Sequence, residues 1–341
     1  MYWLPIVKNL KREYKYVKSL LRKDIVMKPV ATKTKGIIKK IPLLNSIARK
    51  IYYKIIISGS KEKNDPSITQ KQQPRELIYL GNNKALTRTI WGQKMFLDTR
   101  DISITPHILL DGFWEMWITK VFVETIKEGM TVVEIGANMG YYTLLAASII
   151  GPSGKLYAFE GNSTVYECLL QSVAVNGFLD RVTLVNKVAS GKSGKMKFHK
   201  LKQLQGATSI SSREALFKFH KYADQIETVE VETVSLDDYF NGYNPNIDLI
   251  KIDAEGSEAL IFQGMKKLLQ ENPHVTIICE FTPDLISGTG ENPKQFLEAI
   301  TEHGFKLRII NTDSNLEEVS IDKLLNMHQC ELFLSRTNYV L

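Results

Sequence analysis

The chain has 341 residues, of which 44% are hydrophobic, so it is long enough for one large α/β domain with an extension or for two modest domains. Its charge is uneven: residues 1–63 hold 17 Lys/Arg and 3 Asp/Glu, whereas the remaining 278 residues hold 27 and 34. The basic character therefore belongs to the N-terminal segment, and the overall pI alone gives no support for a nucleic-acid-binding protein.

Cysteine usage and hydropathy argue against a zinc-binding, a secreted or a membrane-spanning protein. The three cysteines are scattered, without metal-ligand spacing, and no run of 18 apolar residues occurs. Lysines interrupt the apolar residues at the start of the chain, where a signal peptide needs an unbroken stretch. We therefore expect a cytoplasmic protein with no metal site and no membrane-spanning helix.

Residues 1–57 are predicted to form a basic amphipathic helical extension. Apolar residues recur at three- and four-residue spacings from Trp3 to Ile25, and more weakly from Ile41 to Ile55, with lysines and arginines between them. Such helices bind the anionic inner face of a membrane peripherally, pack on a domain or on another subunit, or bind nothing, so membrane contact and a homo-oligomer both stay open. The polar segment 58–75 is predicted to be a linker, and the domain to span 76–341.

Within that domain, two short strands are expected around Trp91 and a helix between Gly112 and Gly129. Strand and helix patterns then alternate, with strands at 131–135, 155–159, 182–187, 247–252 and 275–281. An insertion of about 55 residues separates the third and fourth of these, and it carries two strand-like runs, KMKFHK and VEVETV. The C-terminal part contains two further strand-like runs, FKLRII and CELFLS, without a long crossover helix between them, which favours an antiparallel pair. The pattern predicts a mostly parallel sheet with helices on both faces.

The stretch VVEIGANMGYYT, residues 132–143, is typical of a strand, a turn containing glycines, and the start of a helix. Nucleotide-binding α/β folds share this geometry and bind ligands at the carboxyl ends of their strands. A dinucleotide fingerprint would need glycine at the position of Asn138, and no GxxxxGK(S/T) phosphate loop occurs. The spacing therefore disfavours a pyrophosphate site.

Acidic residues lie at or just after the ends of three predicted strands. Glu134 precedes the turn, Glu160 ends the second strand 20 residues after Gly140, and Asp253 and Glu255 follow the fourth strand. A carboxylate at the end of the second strand can accept hydrogen bonds from both hydroxyls of a ribose. Carboxylates without a lysine–glycine cradle suit a nucleoside with a free ribose and a cationic group, a description that S-adenosylmethionine meets.

The chain resembles the FkbM-type S-adenosylmethionine-dependent methyltransferases over roughly residues 90–281. Four segments carry the resemblance: VVEIGANMGYYTLLAASIIGPSGKLYAFEGNSTVYECLLQSVAVNG, LVNKVAS, VETVSLDDY and IDLIKIDAEGSEALIFQGM. The resemblance implies the α/β fold of class I methyltransferases. This fold is Rossmann-like, with a seven-stranded, mostly parallel sheet whose last strand is antiparallel. It also implies S-adenosylmethionine as the cofactor.

Carried over by motif, the resemblance implies a cofactor-binding role for ten residues: Glu134, Gly136, Ala137, Asn138, Gly140, Tyr141, Glu160, Asn162, Val188 and Asp253. In this scheme Glu160 holds the ribose, the glycine turn lines the methionine part, and the region of Val188 borders the adenine. The family usually has FEPN where this chain has FEGN at 159–162. Glycine at 161 is expected to loosen that turn while keeping Glu160 and Asn162.

The resemblance also implies O-methylation of hydroxyl groups on sugars, glycans or secondary metabolites, so we expect a small-molecule or glycan acceptor. An alcohol loses its proton during the transfer, and a nearby base assists. Asp253, Glu255 and Glu280 are the candidates, since all three are predicted at the cofactor edge of the sheet. For each, a helix cap or a hydrogen-bonded structural carboxylate is the alternative, and His107 and His220 are further candidates.

Three rival interpretations remain. A nucleotide-dependent oxidoreductase conflicts with Asn138 and the missing glycine. A nucleic-acid methyltransferase would need basic residues interleaved with aromatic ones near the site, whereas the domain is acidic, so we expect no nucleic-acid partner. A non-catalytic nucleotide-binding or membrane-tethered interaction protein with a degenerate methyltransferase fold is the alternative that the residues do not exclude.

Overall fold

The computed structural model of the chain describes residues 76–201, 203–219 and 226–337. The helical extension predicted at 1–57 and the linker predicted at 58–75 lie outside these described residues. Both assignments therefore remain predictions from the sequence, together with the domain boundary at residue 76.

Fifteen strands occur in the described residues. They are β1 (Ile78–Gly81), β2 (Lys84–Arg88), β3 (Lys94–Asp98), β4 (Thr131–Ile135), β5 (Lys155–Phe159), β6 (Val182–Val185), β7 (Val188–Ala189), β8 (Gly194–Leu201), β9 (Leu204–Ser209), β10 (Ile226–Val234), β11 (Leu249–Ile252), β12 (Thr276–Phe281), β13 (Lys306–Ile310), β14 (Leu316–Glu318) and β15 (Cys330–Ser335).

Eleven helices accompany them in the same described residues. They are α1 (Ile104–Leu110), α2 (Met116–Thr125), α3 (Tyr141–Ile150), α4 (Ser163–Val175), α5 (Arg213–Phe219), α6 (Leu236–Tyr239), α7 (Glu258–Gln263), α8 (Lys266–Glu271), α9 (Pro283–Gly288), α10 (Pro293–Glu302) and α11 (Ile321–Leu325). Across the part of the chain that the structure describes, no helix has the length and apolar character needed to cross a membrane.

The central sheet has eight strands, in the spatial order β14, β13, β15, β12, β11, β4, β5, β6. The five strands β12, β11, β4, β5 and β6 run parallel to one another, which confirms the predicted parallel core. Along the chain, β4, β5 and β6 build outward in one direction, and β11 and β12 build outward in the other. The order therefore reverses between β4 and β11, and open α/β sheets bind their ligands at such a point.

Helices cover both faces of this sheet because the strand side chains alternate between two apolar cores. On β4, Val132 belongs to the core formed with α1 to α4, and Val133 to the core formed with α7, α8, α10 and α11. Burying one such aliphatic side chain contributes about 1.5–3 kcal/mol relative to exposing it. The near-continuous apolar composition of the central strands therefore specifies a sheet that is buried on both sides.

The C-terminal strands follow the predicted antiparallel pattern. β15 inserts between β12 and β13 and runs antiparallel to both. The sheet has one strand more than the seven expected, because β14 forms a short hairpin with β13 at the edge. β14 has only three residues, of which two are exposed, so its sequence carries no alternation that predicts a strand.

Two smaller sheets flank the centre. β1, β2 and β3 form an antiparallel sheet, and the turn between β2 and β3 contains Trp91, as predicted. The insertion forms a four-stranded sheet in the order β7, β10, β8, β9. Its two predicted strand-like runs pair with each other, since β8 and β10 are antiparallel from Gly194 opposite Thr233 to Leu201 opposite Ile226.

Candidate active site

A cleft lies at the carboxyl ends of β4, β5 and β11, beside the point where the strand order reverses. It encloses about 740 Å³, part of it open to solvent. Eight of the ten predicted cofactor-binding residues line it: Glu134, Gly136, Ala137, Asn138, Tyr141, Glu160, Val188 and Asp253. Carboxylates that are far apart in the sequence thus face one cavity, because the ends of neighbouring parallel strands meet at one edge.

The glycine turn forms the floor of this cleft. Gly136 has φ 80°, and a β-carbon built on it would lie 1.8 Å from the carbonyl oxygen of Asp253. The backbone N–H groups of Gly136 and Ala137 both donate to the carbonyl oxygen of Phe159, each at 3.0 Å. Asn138 also has a positive φ of 50°, which asparagine tolerates better than most residues. The turn therefore brings the end of β4 against the loop after β11, with space for nothing larger than glycine at 136.

Glu160 is held by the backbone on both sides of its carboxylate. Its Oε2 accepts a hydrogen bond from the N–H of Asn138 at 2.8 Å, and its Oε1 accepts one from the N–H of Asn162 at 2.6 Å. Burial raises the pKa of Glu160 to about 7, although these two hydrogen bonds act to lower it. A carboxylate has about four lone-pair positions, so roughly two remain for hydroxyl groups of a ligand.

Glu134 lies deeper in the cleft and is 2% exposed. Its Oε2 accepts a hydrogen bond from the hydroxyl of Thr143 at 2.6 Å. Burial raises its pKa to about 7, Thr143 and Lys251 act to lower it, and the charges of Asp253 and Glu160 raise it further. The three cleft carboxylates therefore influence one another electrostatically, and a positively charged ligand would relieve their mutual repulsion.

Lys251, which the sequence analysis did not single out, is the buried cation beside these acids. It lies opposite Glu134 in the register between β4 and β11, and its Nζ is 2.9 Å from Oδ2 of Asp253. The Nζ is also 4.5 Å from the centroid of the Tyr142 ring. Burial acts to lower the pKa of Lys251, but the carboxylates of Asp253 and Glu331 raise it above its ordinary value. A lysine within the apolar run LIKI is the sequence signal that would have revealed it.

The other two predicted cofactor residues, Gly140 and Asn162, do not line the cleft. Gly140 has φ 98° and caps the start of α3, where a β-carbon would lie 2.7 Å from Cδ1 of Leu169. Asn162 is fully buried and caps α4, since its side-chain oxygen accepts from the N–H of Thr164 at 3.2 Å. Both residues position the helices that frame the cleft, and a direct cofactor contact for either stays a prediction.

Gly161 contacts the side chain of Val188, which lines the cleft. A β-carbon on Gly161 would lie 2.2 Å from Cγ2 of Val188. Proline, which the family usually has at this position, would therefore collide with the side chain of Val188. Glycine at 161 therefore allows the loop after β5 to pack closely against β7.

The three predicted base candidates come together, although only Asp253 lines the cleft. One carboxylate oxygen from each of Asp253, Glu255 and Glu280 lies within 4.8 Å of the other two. Glu280 is 5% exposed, and burial raises its pKa well above its ordinary range, with the charges of Glu255 and Asp253 adding to the effect. Glu255 has φ 49°, and the tight turn that it begins continues through Gly256 at φ 99°.

Of the two histidine candidates, only His107 belongs to the described residues. His107 lies on α1 and is half-buried; its ring centroid is 4.9 Å from that of Trp114, and its Nδ1 is 3.6 Å from Oδ2 of Asp111. It is not among the residues that line the cleft, although Trp114 is. His220 lies outside the described residues.

Several residues that line the cleft were not predicted. They come from α1 and the segment before α2, from the start of α3, from the end of the third predicted strand and from the insertion: Ile104, Trp114, Tyr142, Lys187, Phe198, Gly206 and Thr208. The segment LDTRDISITPHILLDGFWE contains the first two and belongs to the stretch that resembles the FkbM-type enzymes. Phe198 of β8 lies in a predicted strand-like run, whereas the residues of β9 carried no signal in the sequence.

The arrangement is suited to a ligand with neutral hydroxyl groups and a positive charge. Free acceptor positions on Glu160 match hydroxyl donors, and the grouped carboxylates of Glu134 and Asp253 match a cation. Gly136 gives the ligand access to the backbone without a side chain in between. These are the requirements of the ribose, ammonium and sulfonium groups of S-adenosylmethionine.

Comparison with known proteins gives a family match. The profile described as Methyltransferase FkbM domain matches residues 134–307, just over half of the chain. The methyltransferase sdnD of Sordaria araneosa is 27% identical over 158 residues, which are 39% of this chain and 60% of that protein. Protein-L-isoaspartate O-methyltransferase of Methanothermobacter thermautotrophicus is 36% identical over 61 residues, 18% of this chain and 28% of that protein. The chain thus spans 60% or less of the length of these curated relatives.

Similar solved structures are more distant. A SAM-dependent O-methyltransferase from Thermotoga maritima is 14% identical with a TM-score of 0.36, covering 75% of this chain and 78% of that one. TYW2 from P. horikoshii, in complex with MeSAdo, is 14% identical with a TM-score of 0.38, covering 77% of this chain and 75% of that one.

Proposed function

We propose that this chain is an O-methyltransferase that acts on a hydroxyl of a sugar, glycan or secondary metabolite. The chain belongs to the FkbM methyltransferase family, has the class I methyltransferase fold and uses S-adenosylmethionine as its cofactor. The convergence of Glu134, Glu160 and Asp253 in one cleft supports this proposal most directly. Had these carboxylates been far apart, the cationic cofactor would have had no matching site.

The residues of the cleft suit each part of the cofactor. Glu160 keeps lone pairs for the two ribose hydroxyls after its two backbone hydrogen bonds. Glu134 and Asp253 offer negative charge to the ammonium and the sulfonium. Val188, on the β7 side of the cleft, provides an apolar surface for the adenine.

In the proposed mechanism the cofactor supplies a methyl group on sulfur that is already a good leaving group. The protein holds the acceptor oxygen in line with it and excludes water, and such positioning accounts for much of the acceleration. A carboxylate oxygen of Asp253 then takes the proton of the acceptor hydroxyl. Asp253 is preferred over Glu280 for this step because its side chain is 33% exposed and lines the cleft, whereas Glu280 is buried.

The remaining wall of the cleft favours a ring-shaped acceptor. Trp114, Tyr141 and Tyr142 come from the N-terminal side of the domain, and Phe198 comes from the insertion. Sites for small organic ligands combine such aromatic surface with a few polar groups that set orientation. A sugar or a cyclic metabolite, with apolar C–H faces and hydroxyl edges, matches this lining.

The test is a methyl-transfer assay with radiolabelled S-adenosylmethionine and a panel of glycans and hydroxylated metabolites. We expect formation of S-adenosylhomocysteine that depends on the acceptor, and at least about a hundredfold slower transfer by Asp253→Asn, within the range for loss of a general base. Glu298→Gln, a partly exposed position on α10 outside the cleft, is the control and should keep the wild-type rate. Tight cofactor binding without transfer to any acceptor would instead indicate the non-catalytic alternative.

We further propose that residues 1–57 bring the enzyme to an anionic membrane surface, where lipid-linked acceptors would be found. The proposal is supported by the 17 Lys/Arg and 3 Asp/Glu of residues 1–63. In flotation with anionic liposomes, the triple change Lys11→Glu, Lys15→Glu, Lys18→Glu should reduce binding. The matched charge reversal at three exposed lysines of the domain, Lys192, Lys266 and Lys323, should leave binding unchanged. Equal flotation of both variants would contradict the proposal.

A further inference from the structure

The acid cluster, defined as Asp253, Glu255 and Glu280, has the arrangement of a cation site. One carboxylate oxygen from each residue lies within 4.8 Å of the other two. Oxygens that share one Mg²⁺, Mn²⁺ or Ca²⁺ ion lie roughly 3 to 5 Å apart, since each bond to the ion is about 2.0 to 2.6 Å long. The three side chains are therefore spaced so that one ion can contact all of them.

The carboxylate of Glu280 supplies a second, independent observation. Glu280 is 5% exposed, and its Oε1 accepts a hydrogen bond from the side-chain amide of Gln329. Its Oε2 is fully buried and has no hydrogen-bond partner among the described residues. Buried carboxylate oxygens are normally hydrogen-bonded or bound to a metal, because an uncompensated buried acceptor is costly. This oxygen therefore calls for a partner that the described residues do not provide.

The surroundings carry an excess of negative charge. Glu258 and Glu331 are also buried near the acid cluster, and each has one carboxylate oxygen without a hydrogen-bond partner in the described part of the chain. Lys251 contributes one positive charge, which is already in contact with Asp253 at 2.9 Å. Glu258, Glu280 and Glu331 are buried with no cation within ion-pair distance among the described residues, so either protons or a bound cation must compensate them.

We propose that Asp253, Glu255 and Glu280 bind one divalent cation with a preference for oxygen ligands, such as Mg²⁺ or Mn²⁺. Three carboxylate ligands without histidine or cysteine define this preference. No metal site was expected from the sequence, because the three cysteines have no metal-ligand spacing; the three acids meet only through the fold.

Such an ion would lie beside the cofactor cleft, since Asp253 belongs both to the acid cluster and to the lining of the cleft. This consequence rests on the proposed methyl transfer: a cation held there by one oxygen of Asp253 would bind the acceptor oxygen, lower the pKa of its hydroxyl and fix its position, and the other oxygen of Asp253 would take the proton. An acceptor with two adjacent oxygen atoms would gain most from it, because both oxygens can bind one ion.

Titration of the full-length protein with MnCl₂, followed by loss of the electron paramagnetic resonance signal of free Mn²⁺, tests the proposal without cofactor or acceptor. We expect one Mn²⁺ per chain. Asp253→Asn and Glu280→Gln, which keep side-chain size, should each weaken Mn²⁺ binding by at least about tenfold. Loss of a residue that only hydrogen-bonds to a metal ligand already lowers metal affinity by about 10- to 100-fold, so loss of a ligand should cost at least as much. Circular dichroism of each variant confirms folding.

Glu331→Gln is the matched control. Glu331 lies opposite Glu280 on the neighbouring strand β15 and is buried like it, but it is not one of the three clustered acids. We expect this variant to weaken Mn²⁺ binding less than either ligand variant does, because it removes a nearby negative charge but no ligand. The proposal is overturned if the wild-type protein binds no Mn²⁺, if the two ligand variants bind normally, or if Glu331→Gln loses as much affinity as they do. Because no methyl transfer is measured, these outcomes do not depend on the proposed enzymatic activity.

Discussion

Gly136 and Asp253 are in backbone contact across two neighbouring strands: a β-carbon on Gly136 would lie 1.8 Å from the carbonyl oxygen of Asp253. The turn after β4 and the loop after β11 are therefore packed together at the bottom of the cofactor cleft. Asp253 owes its position in the cleft partly to the missing side chain at 136. The glycine is thus required by the fold as well as by the approach of a ligand.

Gly136→Ala is expected to destabilise the protein and to weaken cofactor binding. The change combines an unfavourable positive φ with a clash against backbone, and together these should lower the free energy of unfolding by roughly 3 kcal/mol or more. Gly242→Ala is the control, because Gly242 has the same φ of 80° but no atom within 4 Å of the place that a β-carbon would occupy. It should cost only about 1 to 2 kcal/mol. Thermal unfolding measures both, and similar losses in the two variants would disprove the role of the contact.

Glu160→Ala is expected to weaken S-adenosylmethionine binding by about 1–3 kcal/mol, the usual value of hydrogen bonds to a charged group. This corresponds to a decrease in affinity of roughly five- to 150-fold in isothermal titration calorimetry. The physical reason is the loss of the acceptor positions that remain on the Glu160 carboxylate. Unchanged affinity in a folded variant would remove the ribose assignment.

Asn162→Ala separates helix capping from ligand contact. The Asn162 side chain caps α4, whereas it is the backbone N–H of Asn162 that donates to Glu160, and alanine keeps that N–H. The variant should lose about 1 kcal/mol of stability and keep its cofactor affinity. A large drop in affinity with normal stability would show that Asn162 contacts the cofactor, as the sequence motif predicts.

The parts of the fold and site that the sequence predicted are those set by local pattern. Apolar runs located the five parallel strands, and parallel pairing then placed Glu134, Glu160 and Asp253 at one edge. Contacts between distant segments were not predictable. Phe198 reaches the cleft only because of how the insertion folds, and Glu280 meets Glu255 only because of the turn that precedes α7. Capping roles were missed as well, since a motif does not show which atoms its residues use.

The pH dependence of stability is expected to change in Glu134→Gln. Burial raises the pKa of Glu134 from 4.5 to about 7, so the folded protein binds more protons than the unfolded chain between these two values. The contribution of this group to stability is therefore complete below pH 4.5 and is lost as the pH rises through 7. Glutamine carries no charge and can still accept from Thr143.

Without cofactor, Glu134→Gln should consequently have the same stability as the wild type near pH 4 and exceed it at pH 8 by up to about 3 kcal/mol. Urea unfolding at the two pH values gives the difference directly. The variant should also bind S-adenosylmethionine more weakly at pH 8, because the negative charge offered to the cofactor is gone. A stability difference independent of pH would show that Glu134 is ionised in the folded protein throughout this range.

Gly161 and Val188 are expected to be energetically coupled. A β-carbon on Gly161 would lie 2.2 Å from Cγ2 of Val188, so Gly161→Ala forces the valine side chain to move and should cost about 1–3 kcal/mol. Val188→Ala removes the obstructing methyl groups, and Gly161→Ala should then cost much less. In a double-mutant cycle, the double variant should be more stable, by at least about 1 kcal/mol, than the sum of the two single effects predicts. Because Val188 lines the cleft, Gly161→Ala should likewise weaken cofactor binding more in the wild-type background than in the Val188→Ala background. Strictly additive effects on both stability and affinity would mean that the loop moves away from β7 without resistance, and the close packing of this pair would then have no energetic consequence.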